Sequence, residues 1–197
     1  MSCISCKKLW SIPALEWLII LITITLGLLW TSCNEDRPLR TLPVYGMQDE
    51  QNKSNHKIGP FSFIDQNGDT VTDKDYSNKV YVTDFFFTTC RSICPVMTTQ
   101  MQRVFEHYKS NPDVMFLSYS VNPEYDTPAV LKEYADKHHA DAKKWHFVTG
   151  DKQKIYDLAR ISYLVTATKG DGGPDDFVHK QNFALIKKEK RIRGYYD

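Results

Sequence analysis

The chain lacks any marked excess of charge: 25 lysines and arginines stand against 24 aspartates and glutamates, a net of +1. That balance gives no reason to propose nucleic acid as a partner. The basic run KKEKRIR near the C-terminal end reads as one solvated face of a hairpin. Internal repeats are absent. Cysteine is scarce, with five in 197 residues, and long apolar runs are scarcer still, with one. The length admits one ordinary domain plus a leader, too little for two full domains. An apolar content of 42% is enough to bury a sizeable core.

The single long apolar run lies near the N-terminus. Lys7 and Lys8 precede LEWLIILITITLGLLW, whose only charge is Glu16, and the segment from Ile12 to Trp30 holds 19 residues. About 20 residues are needed to cross a bilayer as a helix. Two readings stand. The run is an uncleaved anchor with its lysines on the cytoplasmic side, or a signal peptide ending at Cys33 in LLWTSC, the lipidated first residue of a lipoprotein. Residues 1–33 are thus the membrane anchor or lipoprotein signal. Either way the remainder faces the periplasm or another extracytoplasmic space while tethered to the cytoplasmic membrane.

Residues 34–57 are polar, with Pro38, Pro43 and Gly46 and no sustained period, as expected of a flexible linker. From Ile58 the pattern becomes that of a folded domain, residues 58–197. FSFIDQNGDTVT carries the turn signal Asn67-Gly68 and predicts a hairpin. VYVTDFFF is nearly continuous apolar sequence, the signature of a strand covered on both faces. Pro95 opens a helix to about Tyr108, with Val96, Met101, Val104, Phe105 and Tyr108 on its apolar side. VMFLSYSV and WHFVT are further strands. Asp126 or Thr127 before Pro128 starts a helix ending near His139, and Asp151 caps another through about Arg160. Thr168 to Asp176 is a loop, and FALI with RIRGYY forms a closing hairpin. The order implies an α/β domain with helices on a central mixed sheet.

The cysteines divide by location. Cys3 and Cys6 precede the apolar run and are incidental or acylation sites, since no second ligand pair accompanies them. Cys33 belongs to the lipid question. Only Cys90 and Cys94, in FFFTTCRSICPVM, remain for the exported domain. Three chemistries suit them: a structural disulfide, a redox couple, or a metal site. Cys94, just before Pro95, is the expected N-cap, where the helix dipole favours a thiolate, and Arg91 adds positive charge. A thiolate is both nucleophile and metal ligand, so these features leave redox and metal readings equal.

A third donor would discriminate. His56 lies in the linker, His107, His138 and His139 belong to helices, and His146 is a packed strand residue. His179, in DDFVHKQNFALI, follows the Gly-rich loop and precedes a strand, so it is the candidate able to reach the cysteines. Two thiolates and one imidazole select Cu(I) and accommodate Cu(II). A structural zinc site would require a fourth protein ligand.

FSFIDQNGDTVT, FFFTTCRSICPVM, SYSVNPEYDTPAVLKEYADKH and the end running from FVHKQNFALI to RIRGYYD together resemble the Sco/SenC family of membrane-tethered copper proteins. The resemblance implies a thioredoxin-like fold, copper held by Cys90, Cys94 and His179, and a redox-active Cys90/Cys94 pair. It implies a metallochaperone, or a thiol reductant, acting on the copper-bearing subunit of cytochrome c oxidase. Asp84, in the strand before the motif, is an assisting acid or a surface or structural carboxylate. The sequence departs from the family where Arg91 replaces proline. It also stops at GYYD, where relatives continue through a Gly-Thr and a final helix. The alternative function is a thioredoxin-type thiol–disulfide oxidoreductase without a metal, and a third is a tethered interaction domain whose cysteines form an inert disulfide.

Overall fold

The computed structural model describes Trp17, Tyr45, residues 56–165 and residues 182–197. The chain divides into two compact units, Met1–Thr41 and Leu42–Asp197. Of the first, only Trp17 is described, exposed and in a helix. The expected apolar span therefore lies outside the described residues. Among the described residues no helix is long and apolar enough to cross a membrane.

Seven strands of the second unit form one sheet: β1 (Ser62–Asp65), β2 (Thr70–Thr72), β3 (Val80–Phe86), β4 (Val114–Ser120), β5 (Trp145–Thr149), β6 (Phe183–Ile186) and β7 (Ile192–Tyr196), in the order β2-β1-β5-β4-β3-β6-β7. The central strands β3, β4 and β5 run parallel, while the hairpins β1/β2 and β6/β7 add antiparallel pairs at either side. The expected mixed sheet is present, closed by the expected hairpins. Between β1 and β2, Gly68 takes φ +87, a conformation that costs glycine little. Asp65 Oδ1 accepts the N–H groups of Asn67 and Asp69 at 2.8 and 2.9 Å and fixes that turn.

Successive side chains of a strand point to opposite faces, so a strand apolar at every position must be covered on both. Phe85, Leu117 and Val148 join one buried cluster with Tyr119 and Tyr163, whereas Phe86, Phe116 and Phe147 join a second with Trp145. The second cluster receives α1 (Cys94–Tyr108) through Cys94, Met101 and Phe105, and α2 (Pro128–Lys137) through Leu131 and Ala135. The first cluster is covered by α3 (Lys152–Asp157), which runs on as a π-helical turn, Leu158–Ser162. Asp151 caps α3 as expected, accepting the Lys154 N–H at 2.8 Å.

One expectation for α1 fails. Its buried residues are Cys94, Met97, Thr98, Met101 and Phe105, whereas Val96, Val104 and Tyr108 are exposed. The apolar stripe in the sequence is wider than the face that meets the sheet. Val104 and Tyr108 instead line an apolar groove of about 400 Å³ with Val80, Val82, Phe183 and Leu185. The basic hairpin turn is solvated but also tied down: Lys188 pairs with Asp113 at 2.7 Å and Lys190 with Asp73.

Candidate metal centre

β3 delivers the chain to the C-terminal end of the parallel strands at Phe86, and α1 begins at Cys94, so Cys90 lies on the connecting loop and Cys94 in the first helical turn. The loop turns tightly, with the Cys90 N–H donating to the Phe87 carbonyl at 3.2 Å. Both cysteines are free thiols. Cys90 Sγ accepts the Cys94 N–H at 3.4 Å and lies 3.7 Å from the Ser92 hydroxyl.

The assignment of the thiolate to Cys94 is overturned. Ile93, without a side-chain cap, occupies the N-cap position, and Cys94 is the first helical residue, buried against the sheet. The free N–H groups at the helix start are available as expected, but the one on Cys94 points at the sulfur of Cys90. Burial would raise the Cys90 thiol. Hydrogen bonds from the Cys94 thiol, the Cys94 and Ser92 backbone and the Ser92 hydroxyl outweigh it and lower the group to about 7. Burial pushes the Cys94 thiol up to about 12, helped by its hydrogen bond to Cys90 and by the charges of Cys90 and Asp84, against the Phe87 backbone. The partly exposed sulfur, on Cys90, is the more acidic of the two. Arg91 is exposed beside it.

Beneath the pair, Asp84 projects from β3 onto the face covered by α1 and α2, the same face as Val82 and Phe86. It is fully buried, and burial raises it to about 7 although a hydrogen bond from Ser118 works the other way. Ser118 in turn accepts the Trp145 indole N–H at 3.0 Å, and Oδ1 of Asp84 has no hydrogen-bond partner. Asp84 is therefore a structural acid on the floor of the site, and its charge is felt at Cys94. Tyr134 from α2 closes the other side. Thr98 donates to the Cys94 carbonyl at 3.0 Å, so Tyr134 must donate to Thr98 across their 2.8 Å contact. Cys90 opens onto a polar groove of about 330 Å³ lined also by Arg91, Tyr125, Glu133, Tyr134 and Lys137.

His179 lies outside the described residues. Among the described residues no cluster of three histidine, cysteine, aspartate or glutamate side chains forms a metal site. Three of the other histidines are engaged elsewhere. His56 Nε2 lies 2.6 Å from the Ser162 carbonyl, and His138 Nδ1 lies 3.5 Å from Gln102. His146 packs in β5 as expected, 2.6 Å from the Tyr76 hydroxyl, and burial lowers it. Sequence reasoning missed Asp126. Thr127 caps α2, accepting the Val130 N–H, and Asp126 is released inward, where it is completely buried against the cysteine loop. The signal was two residues able to cap standing before one proline, of which only one can.

Residues 49–197 match the SCO1/SenC family model, and the chain belongs to that family. A SCO1/SenC family lipoprotein from Bacillus anthracis is 31% identical, with a TM-score of 0.65 over 73% of this chain and 85% of that one. BsSco, described as a member of the Sco family of cytochrome c oxidase assembly proteins with a disulfide switch, is 32% identical, with a TM-score of 0.62 over 76% and 87%. Bradyrhizobium japonicum ScoI, solved with copper bound, is 30% identical, with a TM-score of 0.59 over 71% and 88%. The fold is the thioredoxin-like fold of Sco proteins.

Proposed function

We propose that this chain is a membrane-tethered copper-binding protein that serves the assembly of the copper site of cytochrome c oxidase, with Cys90, Cys94 and His179 as ligands. The supporting observation is the free, unequal pair of thiols at the strand–helix junction, joined to membership of a family whose members include a copper-bound ScoI and an oxidase assembly protein. The donor set fits. Two sulfurs and an imidazole suit a soft ion, and a bound copper ion supplies one-electron chemistry or is handed on as cargo. The chain's part is to present Cys90 about half ionised at neutral pH and to hold the Cys94 proton until a ligand displaces it. Asp84, itself poised near neutrality, helps hold that proton through its charge on the floor of the site. The tether is the Ile12–Trp30 segment or a lipid on Cys33, and the lipoprotein among the relatives supports such an attachment.

A second reading rests on the same asymmetry. Cys90 as thiolate attacks one sulfur of a partner disulfide and expels the other as a thiolate. Cys94, after losing its proton, then displaces the partner's second thiol. The pair ends as a disulfide and the partner gains two electrons and two protons. The disulfide switch of BsSco supports this reduction as a companion to copper binding.

Copper titration of the reduced full chain in detergent tests the proposal. One copper per chain is expected, with affinity weakened more than roughly tenfold by His179→Ala and abolished by Cys90→Ser. Undiminished affinity in His179→Ala would remove the histidine, and fast dithiol exchange without copper binding would leave the oxidoreductase alone.

A further inference from the structure

Asp126 belongs to no ligand set, yet its side chain is at 0% exposure. A carboxyl group withdrawn from water is costly unless hydrogen bonds replace the solvent. Here they do. Oδ2 accepts the Thr88 N–H at 3.2 Å and the Ser120 hydroxyl at 2.5 Å, and Oδ1 accepts the Thr88 hydroxyl. The Asn122 N–H donates to Ser120 Oγ at 3.1 Å, and the Asp126 N–H to the Asn122 carbonyl at 2.9 Å. The turn after β4 is thus closed around the carboxyl group. All three donors come from two places: the end of β4, and the second residue before Cys90.

These bonds bridge separate segments. Thr88 begins the loop that carries Cys90, while Ser120 ends a strand locked in parallel register with β3 from Val80↔Val114 to Phe86↔Ser120. The Val121 N–H extends that register to the Phe86 carbonyl at 2.8 Å. The loop therefore leaves a rigid sheet and is fastened to it again one residue beyond Phe87. From there the tight turn at Phe87–Cys90 sets Cys90 Sγ over the Cys94 N–H.

We propose that Asp126 is the positioning residue for Cys90, its carboxyl group clamping Thr88 to the end of β4 so that the two thiols meet without a search. The inference rests on reading Cys90 and Cys94 as a reactive pair. Restricting the loop raises the effective concentration of one thiol at the other, which favours ring closure to the disulfide. In that closure both cysteines lose a proton and an electron each, and glutathione disulfide takes them up as two molecules of glutathione. A freed loop makes closure less favourable and shifts the balance towards the dithiol.

The test is the equilibrium of the metal-free full chain in detergent against buffers of glutathione and its disulfide, well below the melting temperature. Asp126→Asn turns an amide N–H₂ towards donors. Thr88→Val removes one hydroxyl donor at nearly constant shape, and Thr88→Ser keeps that donor. Asp126→Asn and Thr88→Val are expected to shift the equilibrium about tenfold towards the dithiol, with Thr88→Ser within about twofold of the parent. If Asp126→Asn does not fold by circular dichroism, Thr88→Val decides alone. A parental equilibrium in folded Thr88→Val, or equal shifts in Thr88→Val and Thr88→Ser, overturns the clamp while leaving copper binding intact. If the parent forms no disulfide at any glutathione ratio, the reactive-pair reading fails first and the clamp with it.

Discussion

At the scale of single residues, the two cysteines are unlike, and the difference comes from unequal burial and from the hydrogen bonds gathered at Cys90. The Cys94 N–H is spent on Cys90, so the thiol on the loop is stabilised as a thiolate while the thiol on the helix is buried as an acid. Alkylation of the reduced, metal-free chain should therefore modify Cys90 half-maximally near pH 7, with Cys94 unmodified across the neutral range. Peptide mass spectrometry after timed alkylation checks this, and modification of Cys94 first would refute the assignment. Asp84 gives a second expectation. Its folded value of about 7 lies above the ordinary 3.8, so the unfolded chain ionises first and stability falls as pH rises from about 4 to about 7. The full loss is on the order of 4 kcal/mol. In Asp84→Asn that decline should be absent, which denaturant unfolding at pH 4 and pH 8 would show. Parallel curves for parent and variant would mean that Asp84 is not desolvated. The sequence displayed Cys90, Cys94 and Asp84 as candidates, because spacing and strand position are written in it. Which cysteine is ionised was not legible, because it depends on which sulfur the fold buries and which one it surrounds with donors.

The elements themselves were largely legible. Gly68 in its turn, the unbroken apolar strands and the capping Asp151 each have a local signal, and the structure follows them. The burial of α1 does not have one. Val96, Val104 and Tyr108 are apolar at helical spacing, but the sheet meets only one side of that stripe, and the width of contact is a property of packing. Phe105 lies between Phe116 and Trp145, with ring centroids 5.6 and 5.5 Å away. Phe105→Ala should cost about 3–5 kcal/mol of stability, while Val104→Ala, at the rim of the groove, should cost less than about 1 kcal/mol. Urea unfolding of both variants tests the corrected face, and equal losses would restore the wider one. Asp126 illustrates the same limit. Asp-Thr-Pro announces a helix start, but only the fold reveals that Thr127 takes the cap and sends its neighbour to the cysteine loop.

At the scale of the whole molecule, the sheet brings distant sequence to one end. The loop after β3 and the start of α1 supply the thiols, β4 and the turn before α2 hold that loop, and β6 follows the segment containing His179. The four motifs that carried the family resemblance are spread from residue 61 to the last, and the family match over residues 49–197 embraces all of them. The proposed copper site is legible in sequence only through the resemblance, since no local spacing links His179 to Cys90. The most direct test is X-ray absorption at the copper edge of the copper-loaded full chain. Two sulfur donors and one imidazole nitrogen are predicted, with the imidazole signal lost in His179→Ala. An unchanged imidazole signal in that variant, or copper held without sulfur, would contradict the proposed centre.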